Sequence, residues 1–402
     1  MNLIEILNEI NRQSIDRNDK VAPVEILKTM TKGKSGAGVY MVEYGSDNKV
    51  GILKITDSTS ELEIFSKAYE VAVKNSMHKY IAKMVANFSL NLEGQSELQA
   101  NLYDLAGDDI YNAETFFDKV IKEDELKDAV MAKLTKFIFT WNKEHEKKFL
   151  SPIDIVRNEL SYRFMDKKFV KAFHELGIDN DVKWLSIDGT DIILPNPYYF
   201  FSNEEIWEGL KVTCLTSYAH GDFQGNNIMI TENKPIIIDF CDVLEDCNVF
   251  HDIRYLESIT LSDYMEFDTP FQRELWMKIC KCVTEQIHEV DIPRGKGMSL
   301  LRQLVPKFRE NIKLVVSDNR NVLYNPSFYL AGVSCGFINM RKIKDKVKRK
   351  AALIYAAYNL KMFLSDEAVS KYNPQLDSCM TLPWIDLNEE SCRIKLVSMN
   401  EI

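Results

Sequence analysis

The 402-residue sequence predicts an α+β protein of two lobes, a small lobe built on an antiparallel sheet and a large helical lobe. Three observations predict it. Residues 24–105 alternate short β-prone runs with Gly-rich turns. Gly107-Asp108-Asp109 then interrupts that pattern. Beyond the break the text is mainly helical, with one strand-like island at 212–240. The sheet-rich lobe is expected over 1–106 and the helical lobe over 107–402, since the chain is too long for one small core.

Each element has its own signal. Leu3, Ile6, Leu7 and Ile10 share one side of an amphipathic helix over 3–14. Strands follow at 24–30, 39–42 and 50–55, separated by the turn Gly33-Lys34-Ser35-Gly36-Ala37-Gly38 and by a hairpin turn at 45–48. A helix over 61–77 and strands at 81–90 and 99–105 complete the small lobe. The island at 212–240 reads as a strand, a polar loop and an apolar hairpin.

Charge and cysteines narrow the class. A net charge of −10 disfavours a general nucleic-acid binder, which presents a large basic face. The eight cysteines form no C-x-x-C pair, and Cys280-Lys281-Cys282 has no second pair nearby, so scattered thiols are expected rather than zinc. Met1-Asn2-Leu3-Ile4-Glu5 lacks an export signal, and the longest apolar stretch, 351–364, is too short to span a bilayer. A reducing cytoplasm is the expected setting.

The chemistry lies in His220-Gly221-Asp222-Phe223-Gln224-Gly225-Asn226-Asn227 and the strand-hairpin after it. Phosphoryl transfer to a hydroxyl needs a carboxylate beside the attacking oxygen. It also needs a neutral oxygen ligand for Mg²⁺ a few residues on, and Asp222 and Asn227 have that spacing. Ile236-Ile237-Ile238-Asp239 ends an apolar strand on a carboxylate, which is costly unless it meets a cation. Mg²⁺ bridging ATP phosphates supplies one. Lys54 stands within the apolar run Gly51–Ile55 and needs an anionic partner, which the α- and β-phosphates provide. In the 33–38 turn, Gly36 and Gly38 let backbone N–H groups approach phosphate, and Ser35 adds a hydroxyl. The turn is no Walker A loop, because a strand follows it rather than a helix. Glu61, Glu63 and Glu70 are the acids placed to steady Lys54, and spacing does not choose among them.

These residues resemble the aminoglycoside phosphotransferase and choline kinase group, small-molecule kinases on the bilobal protein-kinase-like fold. The segment 220–227 is similar to that group's H-G-D-x-x-x-x-N, and 236–240 to its apolar-strand–Asp metal motif. The resemblance covers roughly 24–260 and implies Asp222 as catalytic base, Asn227 and Asp239 as Mg²⁺ ligands, and Lys54 on the phosphates. It implies that backbone groups near Tyr103, Asp104 and Leu105 meet the adenine, and that Asp252 is the group's buried aspartate. Asn248-Val249 departs from the usual Asp-Pro. The expected function is ATP- and Mg²⁺-dependent transfer of the γ-phosphoryl group to a small-molecule hydroxyl, an amino-sugar or choline-like acceptor among the candidates. The alternatives are a kinase of a protein or nucleic-acid partner, or an inert nucleotide-binding module.

The resembled group builds its acceptor pocket from a long helical insertion, here about 112–210, and from the C-terminal helices, and two charge runs stand out in the sequence. Residues 172–210 carry eight acids against Lys183, read either as an attractor for a cationic acceptor or as a solvated surface. Residues 341–350 carry seven bases, read either as a contact for nucleic acid, a polyanion or a partner, or as an exposed helix start.

Overall fold

The computed structural model describes residues 3–32, 38–57, 61–91, 98–104, 113–123, 128–187, 192–231, 234–264, 280, 305–307, 326–366, 369 and 391–394. In chain order the elements begin with α1 (Leu3–Arg17), β1 (Val24–Lys32), β2 (Gly38–Tyr44), β3 (Lys49–Thr56), α2 (Glu61–Lys74), β4 (Lys83–Leu90) and β5 (Leu98–Asp104). Next come β6 (Glu114–Thr115), α3 (Phe116–Glu123), α4 (Asp128–Trp141), β7 (Glu146–Leu150), α5 (Pro152–Leu160), α6 (Lys167–His174), β8 (Trp184–Ile187), β9 (Ile193–Pro195) and α7 (Pro197–Ser202). The chain continues through β10 (Val212–Ala219), β11 (Ile228–Ile230), β12 (Pro235–Ile237), β13 (Leu244–Asn248) and α8 (His251–Tyr264). Last are α9 (Pro326–Lys342), α10 (Lys346–Leu364) and β14 (Ser391–Ile394). The fold is α+β, with a sheet-rich N-terminal region and a helical C-terminal region.

Two compact units form, Met1–Phe116 with Asn226–Val243, and Phe117–Gly225 with Leu244–Ile402. The first is an antiparallel sheet in the order β1-β2-β3-β5-β4. Side chains alternate across it, so the sheet has two chemically different faces. Leu53, Ile55, Phe88, Ala100 and Leu102 cluster with Ile6 and Ile10 of α1. The amphipathic N-terminal helix therefore covers one face. On the other face Lys54, Asn101 and Asn87 stand in register across β3, β5 and β4. Phe65 of α2 meets Tyr103 edge-on at 5.4 Å, so α2 lies over that second, polar face.

A second, three-stranded sheet in this unit, β12-β11-β6, brings the 226–243 segment home. Its strand β12 is tied to the chain ahead of β4 by Ala82 N donating to Ile237 O at 3.1 Å. A single cut at residue 106 does not contain this excursion, because a short apolar hairpin pairs with strands far from it in sequence.

The second unit is built on α9 and α10. Every residue of α9 from Ser327 to Met340 is buried. Gly336 sets how closely the helices approach: a Cβ there would lie 2.7 Å from the Ala356 Cβ and 2.8 Å from the Ala352 carbonyl. Arg254 of α8, also buried, donates to Glu257 at 2.8 Å and to Asn359 of α10 at 2.5 Å.

The region expected to be helical outside 212–240 holds further strands. β7 pairs with β10 over Glu146–Leu150, and β10 pairs on its other side with β13. Within 112–210, β8 pairs with β9 and, in parallel, with β14. These strands are short and their partners mostly remote, so period-2 patterning is too brief to betray them. Among the described residues no helix is long and apolar enough to cross a membrane.

Candidate active site

In the first unit Lys54 and Asp239 meet, and Asn227 is joined by its backbone to the residue before Asp239. The β11–β12 hairpin pairs Ile228 with Ile237, so the residue before β11 and the residues after β12 lie at one end. Ile238 N donates to Asn227 O at 3.0 Å, which extends the ladder by one rung toward Asp239. Asp239 follows with a φ of +64°, a left-handed backbone that a carboxylate residue adopts at a cost. Phe240, packed edge-on against Phe65 at 6.0 Å, anchors the far side of that twist.

Lys54 Nζ donates to Asp239 Oδ1 at 2.8 Å and to Cys241 Sγ at 2.9 Å. The lysine side chain is 11% exposed and the aspartate 37%, so the pair joins a buried cation to a carboxylate that still reaches solvent. That is the partner an ammonium in an apolar strand requires. Of the three acids considered for Lys54, Glu63 and Glu70 are exposed, and the side chain of Glu61 lies outside the described residues.

The donor set suits Mg²⁺. Asn227 and Asp239 offer an amide and a carboxylate oxygen, the hard ligands this ion takes, and phosphate and water complete such a shell. Among the described residues no group of three or more His, Cys, Asp or Glu forms a metal cage, and a kinase-type site does not use one.

In the second unit Asp222 is held from several sides. Tyr255 Oη donates to Asp222 Oδ1 at 2.8 Å, and Lys342 Nζ reaches the same oxygen at 2.5 Å. Gln224 Nε2 donates to Oδ2 at 3.0 Å. Burial works to raise the carboxyl's pKa. The Lys342 charge, the hydrogen bonds from Lys342 and Tyr255, and the nearby His220 outweigh it and hold the value near 2. Tyr255 moves the opposite way: burial first, then the Asp222 carboxylate, push its phenol well above the usual range. Near neutral pH Asp222 is therefore an anion and Tyr255 a neutral donor.

The loop carrying Asp222 is clamped by Asp252 at the start of α8. His220 N and Gly221 N donate to its two carboxylate oxygens at 2.8 and 3.2 Å. Both backbone donors can face one carboxylate because Gly221 sits at φ +74°. A side chain at this position would be strained, which explains glycine between His220 and Asp222. Asn248, ahead of α8, accepts at its Oδ1 from Phe250 N at 3.2 Å in a local turn, and its Nδ2 donates to Ser327 O at 2.7 Å.

The remaining predicted residues are less informative. Gly38 lies in β2 opposite Ile55, and Tyr103 is buried in β5 between Ile52 and Met84. Ser35, Gly36 and Leu105 lie outside the described residues. The two charge runs prove to be partly internal. Arg341 donates to Asp166, Lys342 to Asp222 and Arg349 to Glu175. Glu204 pairs with Arg157 at 2.5 Å, and His174 lies 3.3 Å from Asp179. None of Lys342, Tyr255 and Gln224 was assigned a role at the base from the sequence, although Lys342 lies in the basic run 341–350 and Gln224 inside the loop motif.

No protein-family model matches the sequence, and no curated protein matches it. Among solved structures, a microcompartment-associated aminopropanol kinase is similar at 10% identity and a TM-score of 0.42, over 90% of this chain and 98% of that one. An ethanolamine kinase of Plasmodium vivax is similar at 10% identity and 0.39, over 86% and 85%. A spectinomycin phosphotransferase in complex with ADP and spectinomycin is similar at 12% and 0.37, over 89% and 98%. These are members of the group that the motifs resemble. At such scores they carry no residue-level correspondence to this chain.

Proposed function

We propose that this protein is an ATP- and Mg²⁺-dependent phosphotransferase that moves the γ-phosphoryl group to a hydroxyl of a small molecule, working in a reducing cytoplasm. The observation that carries the reading is the ion pair of Lys54 and Asp239, 185 residues apart in sequence. A buried lysine and an aspartate in left-handed backbone are both costly, and binding a metal–triphosphate gives each a task.

In this reading Lys54 orients the α- and β-phosphates, and Asn227 and Asp239 hold Mg²⁺. The ion neutralises charge on the transferring group. Ser35, Gly36 and Gly38 lay backbone donors along the phosphates, and backbone near Tyr103 and Leu105 meets the adenine. Asp222 orients the acceptor hydroxyl and takes its proton as the new bond forms. Tyr255 and Gln224 fix the rotation of that carboxylate, and Asp252 fixes the loop beneath it.

The test is a screen for ADP release over hydroxyl acceptors, run with the Asp222→Asn variant alongside. Acceptor-dependent ADP formation that the variant abolishes supports the reading. Melting that nucleotide with Mg²⁺ raises, but with turnover absent for every acceptor, supports the inert nucleotide-binding alternative. Melting indifferent to nucleotide refutes both.

A further inference from the structure

Resting on the reading of Asp222 as the base, we propose that Asp166 is a positioning residue for it. Through Arg341, Asp166 fixes the last turn of α9 and so keeps the next residue, Lys342, on the Asp222 carboxylate. Arg341 and Lys342 are the final two residues of α9. The last carbonyls of a helix have no partner within it, and such an end frays unless something holds it. From there Lys342 Nζ donates to Asp222 Oδ1 at 2.5 Å and to Tyr255 Oη at 3.1 Å. A lysine stem is flexible, so the place of its ammonium depends on the place of the helix end.

Arg341 supplies the fixed point. Its Nε donates to Asp166 Oδ1 at 3.0 Å and to Oδ2 at 3.1 Å, and its Nη2 donates to Oδ2 at 2.5 Å. A fork on a carboxylate sets geometry as well as energy. The Arg341 side chain is 10% exposed and that of Asp166 25%, so water competes little with the pair. Asp166 is itself anchored, because its Oδ1 accepts from Phe169 N at 2.8 Å as the N-cap of α6. The hydrogen bonds from Arg341, with that from Phe169 N and the Lys168 charge behind them, hold its carboxyl below the usual range against burial.

Helix α6 carries that carboxylate on a packed body. Phe169 and Phe173 meet Phe337 of α9 edge-on at 5.0 and 5.9 Å, one turn before Arg341. At the other end of α6 Glu175 pairs with Arg349 of α10. The junction at 343–345 is thus tied to α6 on both sides. Lys342, Tyr255, His220 and the neutral Gln224 face the Asp222 carboxylate, and Asp252 holds the backbone of its loop. Asp166 faces Arg341, Lys168 and the start of α6. Its influence on the base runs through the Arg341–Lys342 turn.

The test is a ¹³C NMR titration of the aspartate carboxyls in the full chain without nucleotide or acceptor, the Asp222 signal being assigned by its loss in Asp222→Asn. Asp166→Asn keeps the cap, since an asparagine oxygen also accepts from Phe169 N, and removes the charge the fork grips. The Asp222 midpoint should rise by about half a unit or more. Hydrogen exchange over 340–344 should quicken. In a Lys342→Met background the same substitution should leave the midpoint where it is. Arg341→Lys, which keeps the charge and loses the fork, should reproduce the rise and serves if Asp166→Asn does not fold. A midpoint that both variants leave unmoved overturns the proposal. So does a rise of the same size with and without Lys342, the mark of a general loosening. Because neither readout needs turnover, a Lys342-dependent rise in a chain that forms no ADP leaves this positioning of Asp222 standing while the phosphotransfer reading falls.

Discussion

Replacing Lys342 with methionine tests how the proposed base is kept ionised. The Asp222 carboxyl lies near 2 against an ordinary 3.8, a net shift of about two units, or ~2.5 kcal/mol at ~1.36 kcal/mol per unit. That net is what survives after burial has pushed the other way. Once the lysine is gone, its charge and its hydrogen bond are both lost, while Tyr255 and Gln224 still donate, and the carboxyl rises from its depressed value. Two consequences are measurable. The acid limb of kcat/KM against pH should move up by about two units or more. Urea unfolding at pH 7 should show a loss of about 3–5 kcal/mol, the range for removing one partner of a buried pair. The sign follows from linkage. A depressed carboxyl stabilises the fold above its unfolded value, near 3.8, and that stability is lost as pH falls through the folded value near 2. The variant's deficit should therefore shrink steadily below about pH 5. An unmoved acid limb with a stability deficit independent of pH refutes the reasoning.

Further outcomes are expected. Asp222→Asn should lower kcat by orders of magnitude while the nucleotide still raises the melting temperature, as differential scanning fluorimetry would record. Asp239→Ala should remove the Mg²⁺-dependent part of that shift and leave Lys54 buried without this partner, at a further cost of about 3 kcal/mol in urea unfolding. Asp252→Ala strands the His220 and Gly221 backbone donors; a loss of about 2 kcal/mol and a fall in kcat at unchanged nucleotide affinity are expected. Gly336→Val should cost about 3 kcal/mol or more by forcing α9 from α10, seen as a lower denaturant midpoint.

Much of the small sheet was legible because its signals are local. Glycine turns punctuate it, and Leu53 and Ile55 alternate with Lys54 in a way that already separates the two faces. The loop at 220–227 and the aspartate after 236–238 were legible for the same reason, as short patterns of fixed spacing. What escaped depends on the third dimension. Lys342 lies 120 residues from the carboxylate it meets, inside a run of bases that reads as surface. Arg349 and Glu175 come from two separate charge runs, and neither run reveals that it answers the other. Strand β7 was lost in helical text because five residues hold two periods at most, and its pairing with β10 decides its state.

The path of the chain has a consequence for synthesis. Lys54 leaves the ribosome long before Asp239, and the hairpin that carries the aspartate completes the first unit only at residue 243. Until then the nascent sheet holds an ammonium in an apolar strand without that counter-charge, and β6 without the strand it pairs with. A truncated chain ending near 116 is accordingly an unfinished body rather than a small domain. Translation arrest around that point should leave it open to protease, and protection should appear once the hairpin has emerged.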